Sequence, residues 1–205
     1  MFVNFDCNPK TVRTLDAYVD EVEARFLNEV KGSYVDEVEA RFLNEARGLC
    51  VVAHSFGARV AVLLANRNPE LFEKMVLTGA AGLKSRFSLK VWLKIKWFKL
   101  TGRGKGSTDY RALSNTGKAT FRNIIRRSLH SEITKLDTPT LLIWGKRDKS
   151  TPLYMAKRWT KLQKAAILKV YKAAGHFCFI DDPARFISDA FEFFEASGTS
   201  NAVRY

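Results

Sequence analysis

The stretch Leu49-Cys50-Val51-Val52-Ala53-His54-Ser55-Phe56-Gly57 constrains this chain more than any other. A short valine-containing apolar run ends in a serine, with small residues two places before and two places after it. The helix-forming series Ala58-Arg59-Val60-Ala61-Val62-Leu63-Leu64-Ala65 follows without a spacer. A strand that turns at once into a helix leaves a single residue for the turn. That residue takes a strained backbone conformation with neighbouring chain close by. Such a turn lifts the serine hydroxyl clear of the sheet. The N–H of Phe56, at the start of the helix, then becomes a donor for an oxyanion.

A serine hydroxyl is a weak nucleophile until a base takes its proton, and an imidazole base needs a carboxylate to fix its tautomer. Candidates for both follow in the sequence. Thr140-Leu141-Leu142-Ile143-Trp144-Gly145 reads as a buried strand, with Asp148 in the polar loop Lys146–Pro152 behind it. Ala166-Ile167-Leu168-Lys169-Val170-Tyr171 reads as another strand, and His176 lies in the loop after it. Asp181-Asp182-Pro183 opens a final helix that ends near Glu195. Serine, then acid, then histidine, each behind the C-terminal end of a strand, is the chain order of an acyl-transfer triad on a parallel sheet.

Together with Asn68-Pro69-Glu70-Leu71-Phe72, Thr138-Pro139, Gly175-His176 and Asp182-Pro183, these residues resemble the α/β-hydrolase superfamily in its small bacterial esterase-like branch. The resemblance covers most of Leu15 to Glu195 apart from a cap-like insert, with Ala53 where the usual pattern has glycine. It implies an α/β fold of truncated hydrolase type: a mostly parallel sheet flanked by helices, with a small helical basic cap. It makes Ser55 the nucleophile, His176 the general base and Asp148 its orienting acid. A small carboxylic ester or related acyl compound is the implied substrate. No cofactor and no metal are expected. His54 is expected to be packed or backbone-bonded with no part in proton transfer, and His130 to lie on the surface. Residues 1–83 and 137–205 are expected as the two parts of the core, and 84–136 as the cap.

Two departures qualify this reading. The family places four strands and a His-Gly type oxyanion loop before its serine, whereas 54 residues precede Ser55. Met1–Asp6 is expected as the last of those strands, and the first three strands and the oxyanion loop are expected to be missing. The strand Leu49–Ala53 then becomes a sheet edge, open to Met1–Asp6 or to a second chain. A catalytically impaired hydrolase fragment therefore stands as one alternative function, and a basic module binding anionic membrane surfaces as the other. The second departure is a repeat: Tyr18–Glu29 recurs unchanged as Tyr34–Glu45, sixteen positions later. Val19, Val22, Phe26, Leu27 and Val30 mark one apolar face at helical spacing, with Thr14 and Ser33 as caps. The second copy, which leads through Arg47-Gly48 into the serine strand, is expected to occupy the native helix position. The first is expected to pack elsewhere, extend away or mediate self-association.

Charge is unevenly placed. Residues 1–50 carry ten acids and six bases, and the whole chain has a net charge of +13, so the excess of cations lies downstream. Lys84 to Arg127 holds thirteen Lys or Arg and one acid, Asp109. Within it, Leu89-Lys90-Val91-Trp92-Leu93-Lys94-Ile95-Lys96-Trp97-Phe98-Lys99-Leu100 interleaves cations with large apolar residues. As a lid it would set Trp92, Trp97 and Phe98 over an apolar substrate. As a membrane-surface helix it would lie on anionic lipid. Nucleic acid is not expected as a partner, because Thr101–Thr108 lacks the order of a phosphate loop and follows no strand. Met1-Phe2-Val3-Asn4 has no signal-peptide pattern, and no apolar run reaches the length of a membrane span. Cys7, Cys50 and Cys178 show no metal spacing. Cys50 and Cys178 are expected as reduced core residues, and the protein as cytoplasmic.

Overall fold

The computed structural model describes residues 11–32, 48–84 and 113–196. Four strands build one parallel sheet: β1 (Leu49–His54), β2 (Phe72–Thr78), β3 (Thr140–Gly145) and β4 (Ala166–Tyr171). Their spatial order is their chain order, with His54 opposite Thr78, Thr78 opposite Ile143 and Gly145 opposite Tyr171. The helices are α1 (Leu15–Gly32), α2 (Phe56–Arg67), α3 (Asn115–Arg126), α4 (His130–Thr134), α5 (Tyr154–Leu162), α6 (Cys178–Asp181) and α7 (Pro183–Glu195). Each connection steps to the next strand in the same direction. Crossovers of one hand therefore stack α2 to α5 on one face of the sheet, and α7 folds back over the other.

Alternation along the strands feeds both layers. Met75, Leu77, Leu142 and Trp144 point into the core shared with α1, α2, α4 and α5, while Val76, Leu141 and Ile143 point to the core under α6 and α7. Within residues 84–136, expected as the cap, Ile124, Leu129 and Ile133 are buried in the larger of these cores. Arg59, itself buried on α2, fastens that segment. Its guanidinium donates to the carbonyls of Ile124 (3.1 Å) and Arg127 (2.9 Å) at the C-terminal end of α3. Burial, with Arg127 close by, pushes its pKa down to about 10.

The repeat behaves differently from expectation. The first copy, inside α1, is built into the core: Leu15, Tyr18, Val19 and Val22 are buried in the cluster that α1 shares with α2. The hydroxyl of Thr14 caps the helix by accepting from the N–H of Ala17. Inside the twelve shared residues the copies are identical, and they differ in what flanks them. Leu15, 2% exposed, aligns with Lys31 of the second copy, and Asp16 aligns with Gly32. Burying a leucine stabilises by about 1.5–3 kcal/mol, which a lysine at the same place forgoes. Asp16 also pairs with Arg127, while Asp20 and Glu23 bind Arg67 at 2.8 Å each. Exposed pairs of this kind contribute about 0–1 kcal/mol each, so the apolar contact dominates. The second copy, Met1–Asp6, Trp92, Trp97 and Phe98 all lie outside the described residues.

Among the described residues β1 pairs only with β2 and forms one edge of the sheet. Leu49, Val51 and Ala53 pack on the α2 side, whereas Cys50 and Val52 point to the other face and are exposed. This corrects the expectation for Cys50. An apolar run is buried on both faces only where both faces are covered, and α7 lies over β2 and β3 instead. Cys178 is buried as expected. No helix among the described residues is long and apolar enough to cross a membrane. Replacing Leu15 with alanine is expected to cost about 2–5 kcal/mol, measured as a lowered urea midpoint at unchanged slope.

Candidate active site

Ser55 sits between β1 and α2 with φ 48° and ψ −107°, and among the described non-glycine residues it alone has a positive φ. Such a conformation costs about 1–3 kcal/mol. Two backbone bonds hold it there. The Ser55 N–H donates to the carbonyl of Thr78 (3.0 Å), and the Ser55 carbonyl accepts from the N–H of Ala81 (3.1 Å). The turn is thus clamped to the chain leaving β2. Phe56 is the first residue of α2, so the positive end of that helix begins directly behind the serine. The Tyr18 ring meets the Phe56 ring edge-on at 5.5 Å, and α1 buttresses the turn from outside. A Cβ on Gly57 would meet Ala53 Cβ at an ordinary 3.8 Å. Crowding between the two flanking small residues is therefore milder than the sequence pattern implies.

Asp148 and His176 arrive from the loops after β3 and β4. His176 Nε2 lies 3.1 Å from Ser55 Oγ, and Nδ1 lies 2.8 Å from Asp148 Oδ2. Ser55, His176 and Asp148, named from the sequence, are brought together in one hydrogen-bonded line. The Asp148 side chain is fully buried. Its Oδ1 accepts from the N–H groups of Ser150 and Thr151, and its Oδ2 also accepts from the Thr151 hydroxyl, each at 2.8 Å. Burial alone would raise its pKa. The hydrogen bonds from His176 and from Thr151 outweigh that and hold it below the ordinary 3.8. An ionised Asp148 requires a proton on His176 Nδ1, which leaves the Nε2 lone pair facing the serine hydroxyl.

His54 is bonded to backbone, as expected: its Nδ1 lies 3.1 Å from the Thr78 carbonyl and must carry the proton. Burial and the neighbouring His176 push its pKa down. Its ring rests among those of His176, Phe177 and Phe179, at centroid distances of 4.6, 5.1 and 5.2 Å. His130 is exposed.

Four residues that shape the site were not singled out in the sequence. Gly79, at φ +50°, passes so close to His176 that a Cβ would stand 2.9 Å from its ring. At Gly145 a Cβ would stand 1.9 Å from the Gly175 carbonyl oxygen. The Asp181 carboxylate accepts from the N–H of Gly175 at 2.7 Å and steadies the turn before His176. Thr151 touches both Asp148 and His176. A glycine ending a strand is a signal for the second of these; the other three follow only from proximity in space. Among the described residues, no three His, Cys, Asp or Glu side chains gather so as to hold a metal ion. A surface cleft lined by Ala65, Pro69, Phe72 and Pro139 opens at the N-terminal ends of β2 and β3, away from Ser55.

Two outcomes are expected. Gly145→Ala, whose methyl would have to displace main-chain carbonyls, costs more than about 4 kcal/mol, seen as loss of soluble folded protein. Because the folded-state pKa of Asp148 lies below 3.8, its bonds add stability above that pH and lose it as pH falls through the folded value. Asp148→Asn therefore flattens the acid limb of stability against pH below about 4, measured by denaturation at stepped pH.

Residues 7–190 match the Alpha/beta hydrolase family. An uncharacterized protein of Mycobacterium tuberculosis is 26% identical over 67% of this chain and 53% of its own length. The uncharacterized hydrolase YugF of Bacillus subtilis is 26% identical over 53% of this chain and 51% of its own. The chain spans about half the length of the curated relatives it matches. Among solved structures, a serine hydrolase involved in carbazole degradation has a TM-score of 0.64 at 19% identity, over 92% of this chain and 74% of that one. A meta-cleavage product hydrolase from Pseudomonas fluorescens has a TM-score of 0.60 at 21% identity, over 92% and 74%. Both likenesses are of fold. With a parallel sheet flanked by helices and a family match spanning residues 7–190, the chain belongs to the alpha/beta hydrolase family.

Proposed function

We propose that this chain is a serine hydrolase acting on a small carboxylic ester or related acyl compound. The observation that carries the reading is the continuous line Ser55 Oγ, His176 Nε2, His176 Nδ1, Asp148 Oδ2, with links of 3.1 and 2.8 Å. In this mechanism His176 Nε2 takes the proton from Ser55 as Oγ attacks the acyl carbon. Asp148, held ionised, stabilises the imidazolium that forms. The imidazolium then protonates the leaving alcohol, and water repeats the sequence to release the acid. The N–H of Phe56 donates to the oxyanion at the end of α2, a kind of contact whose loss costs about 10²–10³ in turnover.

The aromatic rings beside His176 favour a substrate with an apolar flank, since Phe177 is 49% exposed next to the reacting groups. Two solved structures of this fold are named as a serine hydrolase involved in carbazole degradation and a meta-cleavage product hydrolase, which agrees with hydrolytic chemistry. Trp92, Trp97 and Phe98 are proposed as further apolar contacts.

A fluorophosphonate probe tests the reading directly. Wild type is expected to label stoichiometrically, Ser55→Ala and His176→Ala not at all, and Asp148→Asn about 10⁴-fold more slowly. Folded protein that does not label, or that labels equally after Ser55→Ala, would leave the impaired-fragment alternative in place.

A further inference from the structure

Thr151 is 7% exposed, and its backbone is fixed at both ends. Its N–H donates to Asp148 Oδ1 at 2.8 Å, and its carbonyl accepts from the indole N–H of the fully buried Trp144 at 2.6 Å. The hydroxyl is thereby presented at one place. From there Oγ1 lies 2.8 Å from Asp148 Oδ2, 3.0 Å from the Gly79 carbonyl oxygen and 3.3 Å from His176 Nδ1. Each of these belongs to a different loop, after β3, β2 and β4 respectively. A hydroxyl has one proton to donate, and at 2.8 and 3.0 Å Asp148 Oδ2 and the Gly79 carbonyl oxygen share it in a three-centre bond.

We propose that Thr151 is a positioning residue: its hydroxyl ties the Asp148–His176 pair to the Gly79 carbonyl, and so to the segment that seats Ser55. The tie is short. Thr78, one residue before Gly79, supplies the carbonyl that holds the Ser55 N–H. Asp148 Oδ1 is already pinned by two N–H groups. Apart from His176, the hydroxyl of Thr151 is what Oδ2 bonds, and it decides how rigidly Oδ2 faces Nδ1. A methyl in its place keeps the shape but leaves Oδ2 with His176 alone. The role in turnover rests on the serine-hydrolase reading; the effect on the Asp148–His176 pair does not.

The test compares wild type with Thr151→Val and Thr151→Ser by two readouts. The first is the low-field proton resonance of His176 Nδ1–H, identified by its loss in His176→Ala. The second is steady-state hydrolysis of p-nitrophenyl acetate. In Thr151→Val the resonance is expected to broaden into exchange with water. kcat falls about tenfold at unchanged KM, as for an interaction felt in the transition state rather than in binding. Thr151→Ser keeps the resonance and returns kcat to within about twofold of wild type. If Thr151→Val does not fold, Thr151→Ala takes its place.

Three results would overturn the proposal. One is a folded Thr151→Val with the wild-type resonance and kcat. Another is a Thr151→Ser as impaired as Thr151→Val, which would make the methyl contact the cause. The third is a wild-type protein with no protected Nδ1–H resonance at all. If the resonance responds as expected while Ser55→Ala still labels with the fluorophosphonate, the positioning role stands and the assignment of the nucleophile fails.

Discussion

The ends of β3 and β4 approach each other at Gly145, where the carbonyl oxygens of Gly175 and Ala174 occupy the space a side chain would need, 1.9 and 2.5 Å from a Cβ position. Two further backbone bonds continue the pairing past the sheet: Lys146 N–H to Tyr171 O at 2.9 Å and Arg147 N–H to Ala174 O at 3.0 Å. The loop that carries Asp148 and the loop that carries His176 are thus set against each other by main chain, before either side chain is considered. Nothing larger than hydrogen fits at that contact, so the separation of the carboxylate and the imidazole is fixed by geometry rather than by their mutual attraction. The hydrogen bond between them follows from where the strands end.

The serine is placed by a second backbone device of the same kind. A residue at φ 48° persists only where its surroundings over-determine it. Here the Thr78 carbonyl accepts both the Ser55 N–H and the His54 ring, while Ala81 donates to the Ser55 carbonyl. Each net hydrogen bond contributes about 0.5–1.5 kcal/mol, comparable with the strain it opposes. The arrangement is rigid because the bonds come from β2, which is itself paired on both sides. Local strain at the turn is offset by bonds to a strand that is paired on both sides and to the segment leaving it.

Much of this was legible in the sequence, for a physical reason. The strands β1 and β3 are near-continuous apolar runs of the kind a parallel sheet packed between helices requires, and β4 is such a run broken once by Lys169, which pairs with Asp189 and Glu192 on α7. Asp182-Pro183 is a capping pair, and α7 starts there, with Asp182 accepting from the N–H of Arg185. Ser55, Asp148 and His176 were legible because each lies at or in the loop behind the C-terminal end of a strand. Thr151, Gly79 and Asp181 were not, since their importance lies in contacts between loops far apart in the chain. Cys50 was misplaced because the outer face of β1 is covered only if another element reaches it, which an apolar run alone does not reveal. Residues 84–136 read as a basic cap by composition, and Ile124, Leu129, Ile133 and Leu136 within them are buried in the core.

The repeat illustrates how little sequence can separate two alternatives. Twelve identical residues carry the same apolar pattern, and the residues just ahead of them differ, Leu15-Asp16 before the first copy and Lys31-Gly32 before the second, with Leu15 buried in the core. An exchange between the copies that deleted sixteen residues would be invisible at its own junction. It would leave one helix sequence that begins with Leu15-Asp16 and ends with Ala46-Arg47-Gly48, at a glycine whose φ of 87° already suits a helix C-terminus. The shorter chain would keep every contact that α1 makes through Leu15, Tyr18, Val19 and Val22. In genetic terms, such an exchange leaves no scar in the sequence.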